Sequence, residues 1–233
     1  ANRLEFRTIN GLSARIIQHY ERVKGRQAFT LVTEEGRLAA LVGELYRKAT
    51  GEFATESTVR SLRTAITYCK NRQMTQEEIE AYQVEDIPFA KLYRQYHAEL
   101  RRRRWMDYDD QMVYAAQILR QHGDILAYFQ DKYRYLCVDE AQDTSRIQHT
   151  ILKLLAGRRR NLFLVGDEDQ SIYGFRAADP GALLRFEEEY PGGRVLFLEK
   201  NYRSTATIVA AADRFIRQNQ HRRDKHMVAA RGP

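Results

Sequence analysis

No apolar run in this chain approaches the ~18 residues that a helix needs to cross a bilayer, and the N-terminus carries no signal-peptide pattern. The sequence thus offers no membrane partner, and a cytoplasmic setting is expected. Cysteine is nearly absent. Cys69 and Cys137 lie far apart in apolar contexts and read as reduced core residues rather than as a disulfide framework. The six histidines are scattered without ligand spacing, which excludes a Cys/His metal set. Internal repeats and low-complexity tracts are missing too. None of the thirteen glycines is followed by lysine, so the 233 residues contain no Gly-x-x-x-x-Gly-Lys-Ser/Thr phosphate cradle.

What remains is an ordinary folded composition, 43% hydrophobic and 30% charged, long enough for one substantial core or two modest ones. The net charge of +7 and pI near 9.4 suit either a polyanionic partner or plain solubility.

Apolar spacing predicts a helix from Thr8, through Ile9, Leu12, Ile16, Ile17 and Tyr20, stopped by Gly25. Ala28 to Val32 reads as a short strand. The next ~90 residues read as entirely helical. Stripes run through Leu38, Leu41, Val42, Leu45 and Tyr46, then through Val59, Leu62, Ile66 and Cys69. Thr75 to Glu78 spell a capping box, Pro88 suits the first turn of a longer helix, and Asp107 caps another. A contiguous helical block between α/β segments reads as an inserted subdomain.

Three strand-like runs follow, about 30 residues apart, each ending in polar residues: Tyr135–Val138 before Asp139-Glu140, Leu162–Val165 before Gly166-Asp167, and Val195–Leu198 before Glu199. Such a pattern predicts a buried parallel sheet with a site along its carboxyl edge. Crossover helices are expected after Ile147 and after Asp179-Pro180. A last helix is expected after Ser204 or Thr205, with Ile208, Val209, Ala212, Phe215 and Ile216 inward.

Asp139 at the end of the first run suits a magnesium ligand, and Glu140 a residue that orients or deprotonates water; a solvated strand end has the same spacing. Gln170 can sense a phosphate or water at that edge. Tyr173 and Phe175, followed by Arg176, either stack on unpaired bases or pack beneath their loop. Arg203 either reaches a phosphate or forms an ion pair near a helix start. Arg101 to Arg104 occupy a full helical turn and read as a solvated helix end or a DNA contact, whereas Arg158 to Arg160 read as structural.

Taken whole, Val138–Asp143, Gly166–Arg176 and Leu198–Ser204 strongly resemble motifs II, III and IV of superfamily 1 DNA helicases of the UvrD/PcrA/Rep kind. Met106–Asp110 is similar to the acidic helix start that precedes motif II. The resemblance implies a RecA-like parallel sheet flanked by helices, an incomplete P-loop NTPase core, with an inserted all-helical subdomain. Residues 1–27 would be the N-terminal part of lobe 1A, 28–122 the insert 1B, 123–198 the core of 1A, and 199–233 motif IV and the start of 2A.

It further implies ATP and Mg2+ as cofactors, with Asp139 holding the metal and Glu140 as catalytic base. Gln170 would couple the γ-phosphate to the DNA-facing loop, and Tyr173, Phe175 and Arg176 would meet single-stranded bases. Tyr202 would stack on adenine and Arg203 would contact the γ-phosphate. Asn10 stands where the family usually has a DNA-contacting His. Implied partners are single-stranded DNA, single/double-strand junctions and the remainder of a helicase chain, namely the Walker A segment and the second motor lobe. The function implied is an ATP-dependent 3′-to-5′ DNA helicase or translocase motor, this chain being an internal piece with weak or absent hydrolysis by itself. The alternative is a relative without Walker A that binds DNA or a partner and hydrolyses nothing.

Overall fold

The computed structural model describes residues 4–171, 177–179 and 181–232. Tyr173, Phe175 and Arg176 lie outside the described residues. Helix α1, Ile9–Lys24, opens on the Thr8 hydroxyl, which accepts the Gly11 N–H, and closes on Gly25 in the left-handed region. Strand β1, Thr30–Leu31, leads into α2 (Glu35–Thr50), α3 (Glu56–Arg72), α4 (Gln76–Ala81) and α5 (Phe89–Arg103). Thr75 and Glu78 cap α4 reciprocally, as their spacing requires. Strand β2, Trp105–Met106, then pairs in parallel with β1, Thr30 facing Trp105 and Leu31 facing Met106. The two ends of the helical stretch are thereby strapped together.

Side chains of α2, α3 and α5 fill one core, including Leu41, Val42, Leu62, Leu92 and Leu100. Helices α6 (Tyr108–Gln121) and α7 (Gly123–Lys132) belong elsewhere. With α1 and α8 (Arg146–Ala156) they build a second core around Ile16, Leu119, Phe129, Ile147 and Ile151.

Between α7 and α8 lies β3, Leu136–Val138; β4, Leu162–Leu164, follows α8. The two pair in parallel, Leu136 facing Leu162 and Val138 facing Leu164. This is the expected βαβ order. The ladder is covered on one side only: Leu136 packs on the second core, whereas Cys137 and Phe163 are exposed. Cys137 is therefore a surface thiol and not the core residue expected. Cys69 is buried as expected, and desolvation pushes its thiol up to about 12.

The third run departs further from expectation. Val195–Leu198 joins no ladder, and Leu196 and Leu198 are 81% and 95% exposed. An apolar run becomes a buried strand only where a neighbour offers hydrogen bonds and cover, and no described segment does so here. The region after Asp179 holds two short helices, α9 (Gly181–Leu184) and α10 (Phe186–Glu189). Strand β5, Lys200–Asn201, pairs in parallel with β6, Val228–Ala229, and α11 (Ala206–Ile216) lies between them. Of the five residues expected to face inward on α11, only Val209 is buried. Among the described elements the helix packs chiefly on β6, and Ile208 and Phe215 are left to solvent. The chain is thus a helix-rich α/β protein with three two-stranded parallel ladders among the described residues. No helix among them is long and apolar enough to cross a membrane.

Candidate functional site at the carboxyl edge of the β3–β4 ladder

The ladder ends where Val165 N–H donates to Val138 O at 2.8 Å and Ala141 N–H donates to Val165 O at 2.9 Å. This pairing brings Asp139 and Glu140 alongside Gly166 and Asp167. Asp139 Oδ1 accepts the Glu140 N–H at 3.0 Å. Glu140 adopts φ 50° and ψ 43°, a left-handed conformation that costs a non-glycine residue about 1–3 kcal/mol and recurs at functional positions. A 3-10 turn, Ala141–Asp143, follows and turns the chain into α8.

Gln142 is the keystone. It is 2% exposed, and its amide donates to Glu140 Oε2 at 2.6 Å while its carbonyl oxygen accepts the Asp167 N–H at 3.0 Å. Asp167 in turn accepts the Gln170 side-chain amide at 2.8 Å. An unbroken hydrogen-bond chain therefore runs from Glu140 to Gln170 through one buried amide and one carboxylate. Both ends of that chain, and Asp139, are exposed at the same edge.

The acidic turn Asp167-Glu168-Asp169 is held from the far end of the sequence. Lys225 Nζ lies 2.5 Å from Asp167, 3.0 Å from Glu168 and 3.3 Å from Asp169, and Arg222 grips Asp169 through two nitrogens. Burial alone would push the Asp167 carboxyl up; the Lys225 and Gln170 donors outweigh it and hold the group below the ordinary carboxylate range. The three consecutive carboxylates are thus compensated, whereas Asp139, Glu140 and Asp143 have no cationic partner among the described residues, and of these Asp139 stands at the strand's end. Mg2+ usually keeps several waters and takes one or two carboxylates plus substrate phosphates, which suits a single exposed Asp at a strand end. No group of three His, Cys, Asp or Glu that could hold a metal ion occurs among the described residues.

Gly166 is required by close approach. A Cβ there would stand 2.8 Å from Gln142 Oε1 and 3.1 Å from the backbone nitrogen of Ala141. Gly166→Ala is expected to cost about 1–3 kcal/mol by pushing the two loops apart. The check is urea unfolding, with an unchanged midpoint counting against the contact.

Other expected residues lie apart from this chain of bonds. Tyr202 and Arg203 are exposed on a turn in which Asn201 Oδ1 accepts both the Arg203 and Ser204 N–H groups. No hydrogen bond or ion pair joins them to Asp139, Glu140 or Gln170 among the described residues. Asn10 lies in the first turn of α1, its buried Oδ1 without a hydrogen-bond partner among the described residues. Arg102 and Arg103 both bind Glu99, whose carboxyl those hydrogen bonds lower to about 2, and Arg159 binds Asp131, so the arginine runs are largely absorbed locally. Gln142, Arg222 and Lys225 were not singled out from sequence. For Gln142 the signal was its place inside the acidic run.

The family described as UvrD/REP helicase N-terminal domain matches residues 1–191. The ATP-dependent DNA helicase PcrA of Staphylococcus epidermidis (strain ATCC 35984) is 41% identical over 168 residues. Its namesake in Staphylococcus aureus (strain Mu50) is 41% identical over 170 residues. Each alignment takes in 71% of this chain and 23% of the relative, so the chain spans about a quarter of the length of the curated relatives it matches.

Proposed function

The chain belongs to the UvrD/REP helicase N-terminal domain family, and from that premise we propose that it forms part of an ATP-dependent 3′-to-5′ DNA helicase or translocase motor. The observation that carries this is the hydrogen-bond chain Glu140–Gln142–Asp167–Gln170 at the edge of a parallel ladder. In this reading residues 1–27 and 123–198 belong to a RecA-like lobe, 28–107 form its helical insert, and 199–233 start a second lobe; the expected insert boundary at 122 moves back because α6 packs on α1 and α8.

ATP would supply the phosphoryl group and Mg2+ would neutralise the charge on its oxygens. Asp139 would hold the cation. Glu140, its carboxylate oriented by Gln142, takes a proton from the attacking water. Gln170 answers to the γ-phosphate and, three to six residues on, to the loop bearing Tyr173, Phe175 and Arg176, which stacks on single-stranded bases. Tyr202 would face adenine and Arg203 the γ-phosphate once the turn that bears them, which follows β5, reaches the ladder edge. The partners are single-stranded DNA, strand junctions, and the segments supplying the phosphate cradle and the second lobe. PcrA relatives named as ATP-dependent DNA helicases support the reading.

The experiment is ATP turnover, with and without single-stranded DNA, in a polypeptide that joins this chain to a phosphate loop. Turnover should rise on adding DNA. Gln170→Ala should reduce that stimulation about tenfold or more while ATP binding persists, because the link between phosphate and DNA loop is cut. Robust DNA binding without any hydrolysis would instead favour a non-catalytic binding module.

A further inference from the structure

A second cationic surface lies away from the ladder edge, between α1 and α7. Arg15, Gln18, His19 and Arg22 recur at i, i+3, i+4 and i+7 and so share one stripe of α1. Tyr128, Phe129 and Lys132 of α7 form the opposite wall of a cleft of about 290 Å3.

Its charges are poorly compensated. One carboxylate, Glu5, serves Arg7 at 3.1 Å, Arg15 at 3.3 Å and Lys132 at 3.5 Å. Arg22 has no carboxylate partner among the described residues; its guanidinium donates to His19 Nδ1 at 2.9 Å. That bond requires a neutral imidazole, so Arg22 keeps its full charge. The carboxylates nearby are engaged: Asp124 with Lys24, Asp131 with Arg159. The His19 ring lies flat on Tyr128, centroids 4.1 Å apart and 13° from parallel, and Tyr128 remains 43% exposed. Burial and the Arg22 charge both push the His19 imidazole below its ordinary range.

We propose that the α1–α7 cleft binds the phosphate backbone of a DNA strand, as a contact surface separate from the 166–176 loop. Arg15 and Arg22 are about 10 Å apart along the helix axis. A single phosphate reaches one of them; a strand with repeated phosphates reaches both, with Lys132 across the cleft. An open cleft beside the part-exposed Tyr128 also suits a strand better than a small enclosed anion. The proposal goes beyond the motor reading, because a strand can occupy the cleft whether or not ATP is hydrolysed.

The test is fluorescence anisotropy with a labelled single-stranded oligodeoxynucleotide, on the chain and on Arg22→Gln and Lys132→Gln, neither of which disturbs a buried contact. Each substitution should weaken binding about fivefold and reduce the slope of log K against log salt by about 0.7, as for one lost phosphate contact. By NMR, saturating oligonucleotide should raise the His19 pKa, since a phosphate beside the ring favours the imidazolium. Unchanged affinity and slope in both folded variants would overturn the proposal, as would failure of the chain to bind the strand at all. So would a His19 shift produced equally by inorganic phosphate or ATP with strand affinity indifferent to the variants, which would mark a small-anion site. The motor reading is judged separately, by ATP turnover.

Discussion

Glu140→Gln is expected to lower ATP turnover by about 10²–10⁴-fold in a polypeptide that joins this chain to a phosphate loop, the range typical of removing a general base. The two side chains have the same shape, and a glutamine carbonyl can still accept the Gln142 amide that now meets Glu140 at 2.6 Å. Position is thus kept while basicity is lost, so ATP and DNA affinities should change little. Gln142→Leu offers the complementary measurement. It removes the donor that orients Glu140 and the acceptor of the Asp167 N–H while leaving the carboxylate intact. A positioning role predicts a smaller fall, about tenfold to a hundredfold, in kcat rather than KM. A loss below about tenfold for Glu140→Gln would remove it from the role of base.

The largest effect on stability is expected at Lys70. Its ammonium, buried in α3, lies 2.5 Å from Asp107 and 2.7 Å from Asp110 at the start of α6. Asp107 also accepts the Tyr96 hydroxyl at 2.9 Å. Asp109 is held nearby by Thr67 and Asn71, both at 2.7 Å. Two helices of the first core and α6 of the second therefore meet on one lysine. Removing one member of a buried ion pair leaves an uncompensated charge and costs about 3–5 kcal/mol; Lys70→Ala leaves two carboxylates so exposed.

The pH dependence follows with a definite sign. Burial pushes the Asp110 carboxyl up to about 6 even with the lysine present, while the lysine, against desolvation, holds Asp107 below its ordinary range. Without Lys70 both folded-state values should lie above the unfolded ones. A carboxyl of that kind favours the folded state below its unfolded pKa, and the advantage is lost as pH rises through the folded value. The variant should therefore gain stability on acidification from pH 8 to pH 5. Urea unfolding followed by circular dichroism at both values checks this. Adding Asp107→Asn and Asp110→Asn to Lys70→Met should restore most of the loss, because the ammonium and the two carboxylates it pairs are then removed together. A loss under about 1 kcal/mol, or one insensitive to pH, would mean that the cluster is hydrated and not holding the helices together.

Much of the local structure was legible. Thr8 and Gly25 bound α1, Thr75 and Glu78 cap α4, Asp107 caps α6, and the apolar runs before Asp139 and Gly166 become the paired strands. Each rests on contacts within about four residues, or on a period that a single helix or strand must satisfy. The run at Val195–Leu198 had the same appearance and formed no ladder. A strand's hydrogen bonds belong to its neighbour, and sequence does not say whether the neighbour is there. The inward face expected of α11 failed for the same reason.

The family was legible in the sequence itself, which also put Asp139, Glu140 and Gln170 forward as candidate site residues. Tertiary structure alone decided what holds them. Lys70 meets Asp107 across 37 residues, Gln142 meets Asp167 across 25, and Lys225 meets Asp167 across 58. Periodicity turns Lys70 inward beside Ile66 and Cys69, yet only packing reveals that two carboxylates wait there. A buried polar group is stable only if a partner stands within about 3 Å of it, and that partner is chosen through space by the fold.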